Sequence, residues 1–525
     1  MKYLSTRGGA ERLTFEEAVL QGLAPNGGLY VSETIPTLPA DWQTAWQDLP
    51  FTELSFQLLS LFVPPSAEEG GIPPEDLRAL IEKSYSSFRH ELVTPLHRVS
   101  EHEWCLELWH GPTFAFKDVA LQLLGHLFEY FLARRNAKST GSPHTITVVG
   151  ATSGDTGSAA IAGLRSKANV HVFILHPQGR VSPIQEAQMT TVLDENVHNL
   201  AVPGTFDDCQ DIVKALFSDK AFNDQHHLGA INSINWARIL SQIVYYFSAY
   251  FSLRRAHPDV DATRVQFVVP TGNFGDILAG YYAKRLGLPM ERLIVATNEN
   301  DILQRFWSTG RYEKDPTAAA GDVRATLSPA MDILVSSNFE RLLWYLAHET
   351  ATGPDPAAEA GRQVAEWMQQ LKATGAMAVS DAQHQMACRD FSAERVSDDE
   401  TRAAILRYYR NDGDRASYLI DPHTAVGFEA ANRIASRSAP SPQIILSTAH
   451  PAKFAEAVIS SLAPASSEQE ASTFFQTQVL PKEMYGLLEK ERRVTPVDAA
   501  ATGPDRLAAL IDRTKQIIER DGFQA

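Results

Sequence analysis

From about residue 145 onward, β-branched apolar runs alternate with amphipathic helical stretches. The runs are TITVVGA (145–151), VHVFIL (170–175), VQFVVP (265–270), LIVATN (293–298) and QIILSTA (443–449). Strands separated by helices rather than by tight hairpins need crossover connections, so this rhythm predicts an α/β chain with mainly parallel sheet. Such sheets place ligands where loops leave the carboxyl ends of strands, and chemistry is to be sought just after these runs. The first 95 residues differ. Helical patterns such as LTFEEAVLQGL and DLRALIEKSYSSF are broken by the turns PNGG, VPPS and GIPPED, which predicts a separate, mostly helical N-terminal domain. From about residue 470 the chain predicts one or two helices, including DRLAALIDRTKQIIER, packed across the outside. With 525 residues, two to four domains are expected.

Two of the strands run straight into glycine-rich loops. TITVVGA leads into Thr152-Ser153-Gly154-Asp155-Thr156-Gly157 and the helical SAAIAGLRSKA; VQFVVP leads into Thr271-Gly272-Asn273-Phe274-Gly275-Asp276 and ILAGYYAKRLG. A strand, a glycine turn and a helix start aim backbone N–H groups and the positive end of a helix dipole at an anion. Neither loop matches GxGxxG or GxxxxGK(S/T), so dinucleotide and nucleoside-triphosphate binding lose their sequence support. Plain tight turns, with Asp155 and Asp276 as helix caps, are equally compatible with either loop alone.

The third feature is Leu108-Trp109-His110-Gly111-Pro112-Thr113-Phe114-Ala115-Phe116-Lys117, followed by an amphipathic run to Arg135. Ala120, Leu124, Leu127, Phe128 and Phe131 form its apolar stripe, and Lys117 falls on the same face. The lysine therefore points inward, near a helix N-terminus that disfavours a cation, between two phenylalanines that can desolvate it. These influences lower an amine pKa, as a Schiff-base lysine requires. A lysine whose stem lies on the aromatics while its ammonium reaches water is the competing reading.

Charge and composition remove other classes. The balance of 47 Lys plus Arg against 63 Asp plus Glu gives a net charge of −16, with no basic run to hold nucleic acid. Arg134-Arg135, Arg254-Arg255 and Arg492-Arg493 are isolated pairs suited to helix ends. Cys105, Cys209 and Cys388 are too few and too far apart for a disulfide framework or thiolate metal site, and no HExxH or GxSxG is present, so no metal is expected. The N-terminus lacks an apolar leader and no run approaches a membrane span, which predicts a soluble cytoplasmic protein. Low complexity is confined to expected hinges at 351–361 (ATGPDPAAEAG), 436–442 (SRSAPSP) and 462–472 (LAPASSEQEAS).

An inward amine, one loop for a cofactor phosphate and one for a substrate anion together suit pyridoxal phosphate, which carries both an aldehyde and a phosphate. The blocks YLSTRGG, GLAPNGGLYVSE, ELWHGPTFAFKDVALQ, GATSGDTGSAAI, HPQGRVSPIQEAQM, NSINWARI, PTGNFGD, ATNENDIL, SPAMDILVSSNFERLL and STAHPAKF, in this order, resemble the threonine synthases of the fungal and bacterial branch. Asn26 stands where many relatives have Asp, which leaves the turn chemistry intact.

The resemblance implies a fold type II pyridoxal phosphate enzyme with two parallel-sheet α/β domains and the cofactor between them. It divides the chain into an N-terminal domain (1–95), a large cofactor-binding domain with the C-terminal helices (96–140 and 240–525), and a smaller inserted domain (141–239) carrying the substrate carboxylate loop. Lys117 is then the Schiff-base lysine and general base. Gly272, Asn273, Phe274, Gly275 and Asp276 are the cradle of the 5′-phosphate, and Thr448 is the hydroxyl at the pyridine nitrogen. A neutral hydroxyl there makes the ring a weaker electron sink than an aspartate would. Thr152, Ser153, Asp155 and Thr156 would receive the α-carboxylate. Asn235 and Arg238, three apart in NSINWARI, would share a helical face and grip the substrate phosphate, joined by Arg180 and Ser182.

The implied activity is the conversion of O-phospho-L-homoserine and water to L-threonine and phosphate, the last step of threonine biosynthesis. The expected partner is this small substrate, with no nucleic acid and no membrane; monomer and dimer both stay open. Two rivals remain: a phospho-lyase on the same scaffold that releases a keto acid, and a non-catalytic binder of phosphorylated metabolites.

Overall fold

The computed structural model describes every residue except 232, 315–322, 411–416, 438, 463–466, 499–504 and 524–525. Asn232 of NSINWARI, 438 in the second expected hinge and 463–466 in the third lie outside the described residues.

Two parallel sheets organise the chain. The larger has six strands in the order Phe391–Arg395, Arg292–Thr297, Gln266–Pro270, Gln443–Ser447, Glu103–Glu107 and Leu96–Arg98, parallel except for the last pair. The smaller has five parallel strands in the order Thr495–Pro496, Val197–Val202, Val170–Pro177, Ile146–Ala151 and Leu228–Ala230. All five apolar runs are strands, three at the centre of the larger sheet and two in the smaller. The Gln266–Pro270 and Gln443–Ser447 strands are buried along their whole length, as expected where helices cover both faces. Glu103–Glu107 escaped the pattern because a glutamate stands at each end; buried Glu103 is satisfied by the hydroxyl of Tyr408 at 2.6 Å.

The helix Lys117–Lys138 joins the two sheets. Instead of one apolar stripe it is buried all round from Lys117 to Phe128, since it packs against the helices Pro74–Tyr85, Asp155–Leu164 and Trp236–Ala256 together. Its contact with Asp155–Leu164 is backbone on backbone. A Cβ on Gly125 would lie 1.9 Å from the carbonyl oxygen of Gly163, and one on Gly163 would lie 2.4 Å from that of Leu121.

The N-terminal helices do not keep a core to themselves. Trp42 meets Phe247 and Phe251 at ring distances of 5.4 and 5.7 Å, and Phe62 meets Trp236 at 5.9 Å, so the aromatic face of Trp236–Ala256 is shared. Glu16 receives both Arg134 and Arg135, the latter at 2.6 Å, which explains that basic pair at a helix end. Arg341, fully buried, donates to the carbonyls of Tyr30 (2.8 Å) and Ile234 (2.7 Å) and binds N-terminal residues to the loop ahead of Trp236.

The C-terminal residues depart from the expected assignment to the larger unit. Thr495–Pro496 extends the smaller sheet beside Val197–Val202, and the helix Arg506–Asp521 buries Leu510, Ile517 and Ile518 with Leu200, Val202 and Ile212. A two-residue strand leaves no sequence period to read, and the helix follows its apolar face. The expected hinge 351–361 is in part helical: Asp355 caps the helix Pro356–Thr374 by accepting from the N–H of Ala358 at 3.0 Å. The described end of the third is helical too, in Glu468–Phe474. Among the described residues, no helix is long and apolar enough to cross a membrane.

Candidate active site

Lys117 is the first residue of its helix, and the approach to it is fixed by backbone pairing. Phe114 takes a left-handed φ of 59°, an antiparallel bridge joins Ala115 to Ala449, and the N–H of Phe116 donates to the carbonyl of Thr448 at 2.8 Å. The N–H of His450 returns a bond to Phe114 at 3.0 Å. The end of the Gln443–Ser447 strand thus carries Thr448 to the lysine. Lys117 is 8% exposed, its Nζ lying 5.2 Å from the centre of the Phe116 ring. Phe114, expected as the second desolvating ring, instead lies under the guanidinium of Arg89 at 3.8 Å. Burial pushes the Lys117 amine down to about 8; Lys453 and Arg238 push the same way, and Asp155, 3.7 Å from Nζ, opposes them. His110, seven residues ahead of the lysine, pairs with Glu107 at 2.7 Å.

Lys117, Thr448 and both glycine loops open on one cleft of about 1600 Å³ between the two sheets. In the 272–276 loop, Phe274 holds φ 60° because its ring is buried among Trp307, Phe339 and Phe391. Such strain costs on the order of 1–3 kcal/mol and persists only where packing enforces it. The loop carbonyls face outward. Ser336 Oγ donates to Gly272 O at 2.7 Å, and the backbone and side-chain N–H groups of Asn338 donate to Asn273 O at 3.1 and 3.0 Å. Ser337 Oγ holds Asn273 Oδ1 at 2.8 Å. The first N–H groups of the following helix, Gly275–Leu286, have no intrahelical partner and are left for an anion. A Cβ at Gly272 would come within 2.7 Å of the Ala330 carbonyl, so only glycine lets the chain pass there. The Asp276 side chain turns away to accept from Tyr245 (2.5 Å) and Tyr246 (3.0 Å), and burial pushes its carboxyl up to about 7. Its backbone N–H is what it offers an anion.

The 152–157 loop is organised by one of its own side chains: Thr152 Oγ1 accepts from the N–H groups of Gly154 (2.9 Å) and Gly157 (2.8 Å). Ser153 and Thr156 border the cleft. Asp155 does not face it as a carboxylate receptor. Its Oδ1 accepts from Lys453 Nζ at 2.8 Å and Gln185 Nε2 at 2.9 Å, and Lys117 lies on its other oxygen. Burial alone would raise its pKa, but the two lysines hold it well below the usual carboxylate range.

Arg238 and Arg180 reach the cleft; Asn235 and Ser182 do not border it. Asn235 stands before the first turn of Trp236–Ala256, accepts from the N–H of Ala237 at 3.0 Å and donates to Val19 O at 2.8 Å. As the cap it precedes the helical face it was expected to share with Arg238. Ser182 likewise caps Pro183–Thr190 and donates to Gln185 Oε1 at 2.9 Å. Arg238 is 3% exposed, its Nη1 has no hydrogen-bond partner among the described residues, and burial pushes it down to about 10. A guanidinium desolvated without a counter-ion is costly unless an anion completes it. Lys453 and Ser336–Asn338 were not singled out as site residues from the sequence, although both lie within motif blocks.

The residues present fit an aromatic aldehyde that bears a phosphate: a buried amine of lowered proton affinity, a helix-start cradle at which a Cβ would collide, and a hydroxyl on the adjacent strand end. Fold and site together define a fold type II pyridoxal phosphate-dependent enzyme, and residues 88–382 match the family described as "Pyridoxal-phosphate dependent enzyme". Residues 2–85 match "Threonine synthase N terminus" and 424–511 match "Threonine synthase, C-terminal". The chain is 55% identical to a threonine synthase of Schizosaccharomyces pombe over 94% of each chain. It superposes on the crystal structure of threonine synthase from yeast with a TM-score of 0.89 at 49% identity, covering 99% of this chain and 98% of that one. For the PLP-bound threonine synthase from Brucella melitensis the TM-score is 0.84 at 41% identity, over all of both chains. The chain belongs to the threonine synthase family.

Proposed function

We propose that this chain converts O-phospho-L-homoserine and water to L-threonine and phosphate. The observation that supports it most directly is the buried Arg238, whose Nη1 has no partner among the described residues, in the same cleft as Lys117 and both glycine loops. Lys117 would hold pyridoxal phosphate, residues 272–276 its phosphate and Thr448 its ring nitrogen. When bound, that group withdraws electrons from the substrate's α-carbon through an imine and makes its proton acidic.

The chain's own residues then have distinct tasks. The 152–157 loop binds the α-carboxylate through backbone N–H groups and the hydroxyls of Ser153 and Thr156. Arg238, with Arg180 at the rim, holds the γ-phosphate as it departs with the C–O bonding electrons. Lys117 Nζ removes the α-proton and later returns one to the α-carbon; an amine pushed down to about 8 is poised to do both near neutral pH. Loss of a β-proton, made acidic by conjugation, supplies the electron pair that expels the phosphate; the γ-carbon then gains a proton and ends as the methyl group, and water adds its hydroxyl at the β-carbon, giving up its other proton. We also infer a cytoplasmic location, which three unpaired cysteines suit.

The test is an assay with O-phosphohomoserine that follows phosphate and threonine together. Equimolar release is expected. Phosphate accompanied by a keto acid and ammonia would replace this reading with the phospho-lyase, and an inert loaded protein would replace it with a binder.

A further inference from the structure

Lys453 is more deeply enclosed than Lys117, with no exposed surface. It sits in the short turn Pro451–Phe454, just beyond Thr448, and its Nζ donates to Asp155 Oδ1 and to the carbonyl of Thr113, both at 2.8 Å. The Lys453 carbonyl lies 3.2 Å from Ser182 Oγ. Asp155 therefore lies between two lysines, with Lys453 close on one oxygen and Lys117 at 3.7 Å on the other.

The charges around this cluster do not balance. Arg238 bears on Lys117 from the Trp236–Ala256 helix, and His423 bears on Asp155. Asp118 and His450 both sense Lys453, but Asp118 is itself bound to the N–H and hydroxyl of Thr113 at 2.8 and 2.7 Å. Around Asp155, two ammonium groups would face one carboxylate, and the Arg238 guanidinium bears on one of those ammonium groups, Lys117. In a desolvated site the amine with the weakest partner loses its proton first. That amine is Lys117: Lys453 has the short contact and a carbonyl besides.

We propose that Lys453 is a positioning residue for the reaction: by committing its ammonium to Asp155 Oδ1 and Thr113 O, it occupies the carboxylate and leaves Lys117 Nζ as the amine that gives up its proton more readily. Without it, Lys117 would be the nearest cation to a buried carboxylate and would keep its proton. The proposal rests on the functional reading above only for the importance of Lys117, and its charge state can be read without any substrate.

The test is competitive acetylation of the full chain, freed of cofactor, with acetic anhydride at a series of pH values, read on the Lys117 peptide by mass spectrometry. The wild-type midpoint should lie near 8. Lys453→Met should raise it by at least one unit, roughly a tenfold slower labelling of Lys117 at pH 7. Lys453→Gln, which keeps a donor to Thr113 O but no charge, should do the same if the Met variant does not fold. Lys453→Arg should preserve the midpoint, and Lys453→Met combined with Asp155→Asn should bring it back, since cation and anion are then both gone. An unchanged midpoint in a folded Lys453→Gln or Lys453→Met variant, or a double variant that stays shifted, overturns the proposal. A shifted midpoint in a protein that makes no threonine would leave it standing and overturn the functional reading instead.

Discussion

Loop 272–276 is fastened from within its own unit: Ser336, Ser337 and Asn338 hold its carbonyls, and Phe274 is locked among three rings. Loop 152–157 is organised internally by Thr152 and fastened outward, because Asp155 is pinned to Lys453 from beyond the end of the larger sheet. Both are strand, glycine turn and helix start, yet one is fastened within its own unit while the other, held by Gln185 on its own side, is fastened by Lys453 of the opposite unit as well. That difference suits the proposed division of labour. A resident phosphate needs a fixed cradle, whereas a substrate that enters and leaves needs one whose position depends on how the two units meet.

The most damaging substitution should be Lys117→Ala, which removes the group that both loops serve. Activity should fall by more than about 10³-fold, and borohydride should no longer fix the cofactor on the peptide containing residue 117. Fixation on Lys453 in the wild type would mean that the roles of the two lysines have been exchanged.

Arg238→Ala comes next and separates the loops. Loss of a charge-assisted bond of about 1.5 to 3 kcal/mol predicts a tenfold to hundredfold drop in kcat/KM for O-phosphohomoserine, with cofactor affinity unchanged. Cofactor loss at steady KM would show that the two anion sites are reversed. A smaller effect in the opposite sense is expected of Ser336→Ala: one neutral hydrogen bond behind Gly272, about 1 kcal/mol, should weaken cofactor binding about fivefold and leave KM alone. Equilibrium dialysis beside steady-state kinetics distinguishes these cases.

The remaining prediction is read on stability rather than on activity and concerns Asp276. Its carboxyl moves from an ordinary 3.8 to about 7 on folding, so the folded chain binds this proton more tightly than the unfolded chain. Stability is therefore lost as pH rises from about 4 to 7 and is constant above. Asp276→Asn abolishes that dependence, and its Tm relative to wild type should climb across this window and level off beyond it. Parallel melting curves whose difference is constant from pH 5 to 8 would show that the carboxylate is not strained by its burial.

What the sequence made legible is what local pattern controls. The five β-branched runs and the two glycine loops each follow from neighbours within a few residues, whereas Lys117 is buried because its helix is covered on all sides and not because of the expected stripe. Asn235 and Ser182 carried a legible signal of another kind, since a small polar residue immediately ahead of a helix is first a cap. The partnership of Asp155 with Lys453 carried none, because it joins segments that meet only after both sheets have formed. The same holds for the C-terminal strand and for the N-terminal helices: an apolar face records that it will be covered, not by what.

The contact between Gly125 and Gly163 has a mechanical side. The helix starting at Lys117 and the helix starting at Asp155 touch, each eight residues from its active-site end, about 12 Å at 1.5 Å per residue. They form the two arms of a pair of pincers with a common fulcrum and equal reach. A tilt of about 5° at the fulcrum displaces a tip by about 1 Å, and about 1 Å of misplacement can cost a hundredfold in rate. A single methyl group added at the fulcrum, as in Gly163→Ala, would open the jaws without touching anything they hold.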